Sequence, residues 1–148
     1  MNPPLRTRED VEAIIQGLKD GTIDILSTDH APHSAEEKKQ DFIHAPMGIV
    51  GLETAFSLAV TNLVVPGHLT IQELVGMMSY RPAKRLGIQG GVLAEQETAN
   101  ITIVNPKEKY VLREEDLHSK SKNTPFLGKK MQGRVCCTIV NGEIKFRR

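Results

Sequence analysis

The apolar run Ile23-Asp24-Ile25-Leu26 leads directly into Thr28-Asp29-His30-Ala31-Pro32-His33, and a helical pattern closed by a glycine precedes it. Thr7 with Asp10 has the form of a capping box, and Val11, Ile14, Ile15 and Leu18 recur at the spacing of one helical face. Gly21 is a natural stop, and the residues from Thr22 to Thr28 read as a strand. Helix, short turn and strand in that order make the αβ half of a parallel unit. In barrels of alternating strands and helices the carboxyl ends of the strands face the active site, which is where this pattern puts Asp29. A closed eight-stranded barrel takes about 250 residues, so a chain of 148 accommodates only part of one.

The pattern continues as a polar loop from Asp29 to Gly51 and then as helices. Leu52, Phe56, Ala59 and Leu63 resume helical spacing, and Val65-Pro66-Gly67 ends that segment. A second capping box, Thr70 with Glu73, opens a helix whose buried stripe is Ile71, Leu74, Val75 and Met78. Pro82 and Gly87 bracket a last short helical turn. Past Gly90-Gly91 the segments Val92-Leu93, Ile101 to Val104, Tyr110 to Leu112, Val135 to Val140 and Ile144 to Phe146 are β-prone, with Asn141-Gly142 as a hairpin turn. The reading is therefore an α/β chain: residues 1–90 as the last part of a (β/α)8 barrel, and 91–148 as a small all-β domain.

Nineteen basic residues against 18 acidic ones give no strong field of either sign, which disfavours a dedicated nucleic-acid or anionic-membrane binder and points to a small-molecule ligand. No stretch is long and uncharged enough to span a bilayer, so a cytoplasmic location is the expectation. Cys136 and Cys137 are adjacent in a strand-like segment, where an ordinary disulfide would be strained, and both read as reduced packing residues.

Asp29 is the candidate catalytic group. A carboxylate at a strand mouth can ligate a divalent metal and exchange a proton with attacking water. Pro32 restricts the backbone between Asp29 and His33, and His33 can hydrogen-bond an anionic ligand. Asn2 and Arg6 offer amide and guanidinium groups suited to a carboxylate or an amide. Asp-His pairs in loops also serve as turn formers or caps, and the pair alone does not separate these roles. His30 reads as a loop-holding residue, and His44, His68 and His118 have no partner pattern. Gly48-Ile49-Val50-Gly51 has an incomplete nucleotide-loop fingerprint and reads better as a tight lead into a helix.

Taken together, Asn2 to Arg6, Asp20 to Asp24, Thr28 to His33, Glu36-Glu37-Lys38, Gly48 to Thr54, Ser121 to Phe126 and Gly133-Arg134-Val135 closely resemble the dihydroorotase family, of the bacterial type within the amidohydrolase superfamily. The resemblance covers essentially the whole chain as the carboxyl-terminal part of a longer protein. It implies a zinc-dependent cyclic amide hydrolase, binuclear when complete, that interconverts N-carbamoyl-L-aspartate and dihydroorotate in pyrimidine synthesis. Asp29 would be metal ligand and general acid/base. Asn2 and His33 would contact substrate, and Met47 with Gly48 would supply backbone contacts. Ala31-Pro32-His33 favours this family over hydantoinase and allantoinase. Departures from the superfamily pattern, Gln96, Asn100 and Arg81, lie in or near the β-rich part.

The family's His-x-His metal ligands are not in this sequence, whose five histidines include no pair separated by one residue. The expectation is a chain that retains little zinc and is inactive alone, with self-association through uncovered apolar faces. The alternatives are a non-catalytic assembly module related to the enzyme, or another cyclic amidohydrolase such as a hydantoinase or allantoinase. Association with aspartate carbamoyltransferase, known for some family members, is a further expectation.

Overall fold

The computed structural model describes residues 3, 4 and 6–148. Helix α1, Arg8–Asp20, starts where Thr7 Oγ1 accepts from the Asp10 N–H at 3.2 Å and Asp10 Oδ2 accepts from the Thr7 N–H at 2.9 Å. This reciprocal pair satisfies amides that the first turn leaves without helical partners. Gly21 ends the helix at φ 83°, a conformation that costs glycine little. The second capping box is also present. Thr70 Oγ1 accepts from the Glu73 N–H at 3.2 Å, and Glu73 Oε2 accepts from the Thr70 N–H at 2.7 Å, ahead of α4, Ile71–Val75.

Between these helices lie α2, Ala35–Lys38, and α3, Ala55–Ala59. Helix α3 continues into a π-helical segment, Val60–Val64, after which the Val65 N–H bonds to the carbonyl five residues back, at 2.9 Å. A similar segment, Gly76–Tyr80, joins α4 to α5, Arg81–Leu86. Pro82 sits in the first turn of α5, and Gly87 closes it at φ 65°.

The β-rich part forms one antiparallel sheet in the order β1, β2, β3, with β1 at Ile101–Val111, β2 at Lys130–Val140 and β3 at Glu143–Arg147. Asn141 and Gly142, at φ 52° and 79°, make the β2–β3 hairpin turn, as the Asn-Gly pair predicts. The pairing of β1 with β2 is irregular between Asn105 and Lys109, and Gln132 Nε2 donates there to the Pro106 carbonyl at 3.1 Å.

The sheet and α3 meet without intervening space. A Cβ at Gly133 would lie 2.9 Å from the Val60 Cβ, while Ser57 Oγ donates to the Gly133 carbonyl at 2.6 Å and accepts from the Tyr110 hydroxyl at 2.8 Å. Arg134 stacks over the Tyr110 ring, 3.9 Å from its centroid, and pairs with Asp116. Two buried clusters follow. Val50, Leu112, Leu117 and Met131 join the loop before α3 to β2 and the segment after β1, and Leu18, Leu69 and Met77 join α1 to the residue pair before Ile71 and to the Gly76–Tyr80 segment.

Three expectations need correction. Ile23 to Ser27 is not a strand. Its Ile23 N–H bonds to Gly17 O at 2.8 Å and its Leu26 N–H to Met77 O at 3.2 Å, because no strand among the described residues lies alongside to form a ladder. Val92-Leu93 is not a strand either; Leu93 is 80% exposed, and neither residue has a pairing partner in the sheet. The helix expected from Leu52 begins at Ala55, after a turn in which the Thr54 and Ala55 N–H groups bond to the Gly51 carbonyl.

Candidate active site

Two loops lie against each other where the sequence places its chemistry. Residues 28–33 meet residues 47–51 through one parallel bridge, His30 with Ile49, and through the Ala31 N–H, which donates to Ile49 O at 2.9 Å. Two glycines make the approach possible. A Cβ at Gly48 would lie 2.5 Å from the Ala31 Cβ, and one at Gly51 would lie 3.1 Å from both the Cβ and the carbonyl oxygen of Thr28. The Gly48 to Gly51 stretch is thus a seam between two loops as well as the lead into α3.

Asp29 occupies the left-handed region at φ 44°, where a non-glycine residue is strained. Its neighbour holds it there. His30 Nδ1 accepts from the Gly51 N–H at 3.0 Å and from the Leu52 N–H at 3.4 Å, which places the imidazole proton on Nε2. His30 therefore fulfils the loop-holding role read from the sequence. The Asp29 side chain is exposed and has no hydrogen bond or ion pair among the described residues, so it is not consumed as a cap.

His33 is half-buried. Its N–H donates to Asn123 Oδ1 at 3.2 Å, and its Nδ1 stands 3.8 Å from Glu37 Oε2. Glu37 also closes the capping box of α2 with Ser34, whose N–H holds its carboxyl below the usual carboxylate range. Met47 is 64% exposed. Gly48, at φ 116°, has its carbonyl turned into the protein, where Lys38 Nζ and Asn123 Nδ2 each donate to it at 3.2 Å. The structure thus brings His33 and Gly48 together through Asn123. Asn2 lies outside the described residues.

Two residues of this region escape sequence reasoning. Asn123 bonds to three backbone groups in the two loops through its side chain, and its carbonyl accepts from the Val50 N–H at 3.1 Å. Glu53 Oε1 accepts from the His118 and Ser119 N–H groups at 3.0 and 2.7 Å, while its Oε2 is buried with no partner among the described residues. Burial raises the Glu53 carboxyl, but the Ser119 N–H, its own backbone, the His118 N–H and nearby His30 outweigh that and hold it below its ordinary value. Both residues belong to motifs visible in the sequence, but their partners lie too far along the chain for spacing to reveal.

Among the described residues no three His, Cys, Asp or Glu side chains come together to hold a metal. Asp29 can supply one carboxylate, whereas a catalytic zinc takes about three protein ligands. These residues alone do not fit a zinc site.

Residues 2–145 match the amidohydrolase family, and the chain belongs to that family. Within it, the sequence is 56% identical over 147 residues to the dihydroorotase of Acetivibrio thermocellus, covering 99% of this chain and 34% of that protein. It is 50% identical over 146 residues to the dihydroorotase of Clostridioides difficile, with the same coverage. The chain thus spans about a third of the length of the curated relatives it matches. Among solved structures, L-hydantoinase (dihydropyrimidinase) from Arthrobacter aurescens superposes with a TM-score of 0.89 at 31% identity, over 98% of this chain and 33% of that one. D-hydantoinase (dihydropyrimidinase) from a Thermus species gives 0.88 at 29%, over 99% and 33%. These neighbours support the amidohydrolase barrel fold, of which the chain carries a portion.

Proposed function

We propose that this chain is the carboxyl-terminal part of a dihydroorotase, serving the reversible cyclisation of N-carbamoyl-L-aspartate to dihydroorotate. The identity of 47–56% to dihydroorotases over nearly the whole chain carries this reading.

The geometry supports a division of labour. Asp29 has no hydrogen-bond or ion-pair partner among the described residues and is held at the loop surface by its backbone and by His30. In the hydrolytic direction, water adds to the ring carbonyl carbon next to the amide nitrogen, and Asp29 accepts a proton from it. The carbon–nitrogen bond then breaks, and Asp29 returns that proton to the departing nitrogen, so the carboxylate ends as it began. Cyclisation runs the same path backwards. His33 and the backbone at Met47 and Gly48 hold the substrate, joined by Asn2. Asp29 is one candidate metal ligand.

We infer the division into 1–90 and 91–148 as two structural units, with a cytoplasmic place of action; no helix of the described residues is long and apolar enough to cross a membrane. The TM-scores to hydantoinases favour one second reading, hydrolysis of another cyclic amide such as a hydantoin.

The test is a full-length chimera in which this chain replaces the matching third of the Acetivibrio thermocellus dihydroorotase. Turnover of dihydroorotate with little on hydantoin supports the proposal, and the reverse preference overturns it.

A further inference from the structure

We infer that Asn123 is a positioning residue for the substrate-binding backbone at Met47 and Gly48, acting together with Lys38. This rests on the dihydroorotase reading and goes beyond it, because Asn123 itself touches no reacting group.

One side chain ties both loops together. Asn123 Nδ2 donates to Ala31 O at 2.9 Å and to Gly48 O at 3.2 Å, and Oδ1 accepts from the His33 N–H at 3.2 Å. Lys38 Nζ completes the clamp, donating to Pro46 O at 2.8 Å and to Gly48 O at 3.2 Å. Two donors thus occupy the Gly48 carbonyl, which is already turned away from any ligand. Its N–H has no acceptor among the described residues. With φ at 116° and the Ala31 methyl against it, the Gly48 peptide has little freedom to rotate. Lys38 on the Pro46 carbonyl and both donors on the Gly48 carbonyl fix the peptide units on either side of the Met47–Gly48 unit, so the clamp holds the Gly48 N–H in place as a donor to a carbonyl or carboxylate oxygen of the substrate.

An aspartate at position 123 keeps the shape and the acceptor for His33 but sets an anionic oxygen against two carbonyls, which frees Gly48. A contact made equally in ground and transition states appears in KM, whereas loss of proton transfer appears in kcat. In the active chimera, Asn123→Asp is expected to raise KM for dihydroorotate by about tenfold or more with kcat within about threefold. Lys38→Met, which removes the other donor at a partly exposed position, is expected to raise KM in the same selective way. It decides the matter if Asn123→Asp does not fold. An unchanged KM in folded Lys38→Met, or a fall confined to kcat in Asn123→Asp, would overturn the positioning role while leaving the enzymatic reading intact. A folded parental chimera without dihydroorotate turnover would remove that reading and this role with it.

Discussion

Gly48 lies so close to Ala31 that a Cβ on the glycine would stand 2.5 Å from the alanine Cβ, with the glycine at φ 116°. Both the space and the backbone conformation exclude a side chain. Gly48→Ala is expected to part the two loops and to destabilise the protein by about 2–4 kcal/mol, from strain and overpacking together. A shift of the urea midpoint at unchanged slope would register it, and a midpoint equal to that of the parent would show that the loops do not touch here.

Gly133 and Val60 stand in the same relation at the junction of sheet and helix. The Ser57 hydroxyl bonds to the carbonyl of this glycine, so β2 cannot back away without losing a buried hydrogen bond. Gly133→Ala, at φ 89°, is expected to cost about 2–4 kcal/mol and to loosen the sheet from α3. Faster hydrogen exchange in β2, with α1 little changed, is the expected signature; unchanged protection in β2 would argue against so tight a junction.

Helix starts and the hairpin were legible because their signals are local: Thr7 with Asp10, Thr70 with Glu73, and Asn141-Gly142 each find their partners within a few residues. Ile23 to Ser27 has a strand's composition, but a ladder needs a neighbour, and composition does not say whether one is present. The opening of β2 is the opposite case. Lys130 to Arg134 is polar and contains a glycine, yet it is strand because β1 pairs with it. In the site, Asp29, His33 and Gly48 stood out as residue types in a motif. Asn123 did not, since its partners Ala31 and Gly48 lie 92 and 75 residues away.

Glu53 gives the fold a pH dependence of definite sign. Its folded value lies below the ordinary 4.5, so the unfolded chain takes up the proton first as pH falls. The stability it contributes is present above about pH 4.5 and is lost as pH drops through the folded value. Glu53→Gln keeps an acceptor for the His118 and Ser119 N–H groups but cannot titrate. Its stability is expected to fall less steeply than the parent's as the pH drops below about 5. Parallel pH curves for the two would assign that carboxylate no linkage to folding.

The most direct measurement is the turnover of Asp29→Asn in the chimera of full family length. The amide keeps the shape of the side chain but accepts no proton, so kcat for dihydroorotate is expected to fall by about 10²–10⁴-fold, the range of general acid/base catalysis, in a protein that still folds. Turnover within a few fold of the parent would contradict the assignment of proton transfer to Asp29.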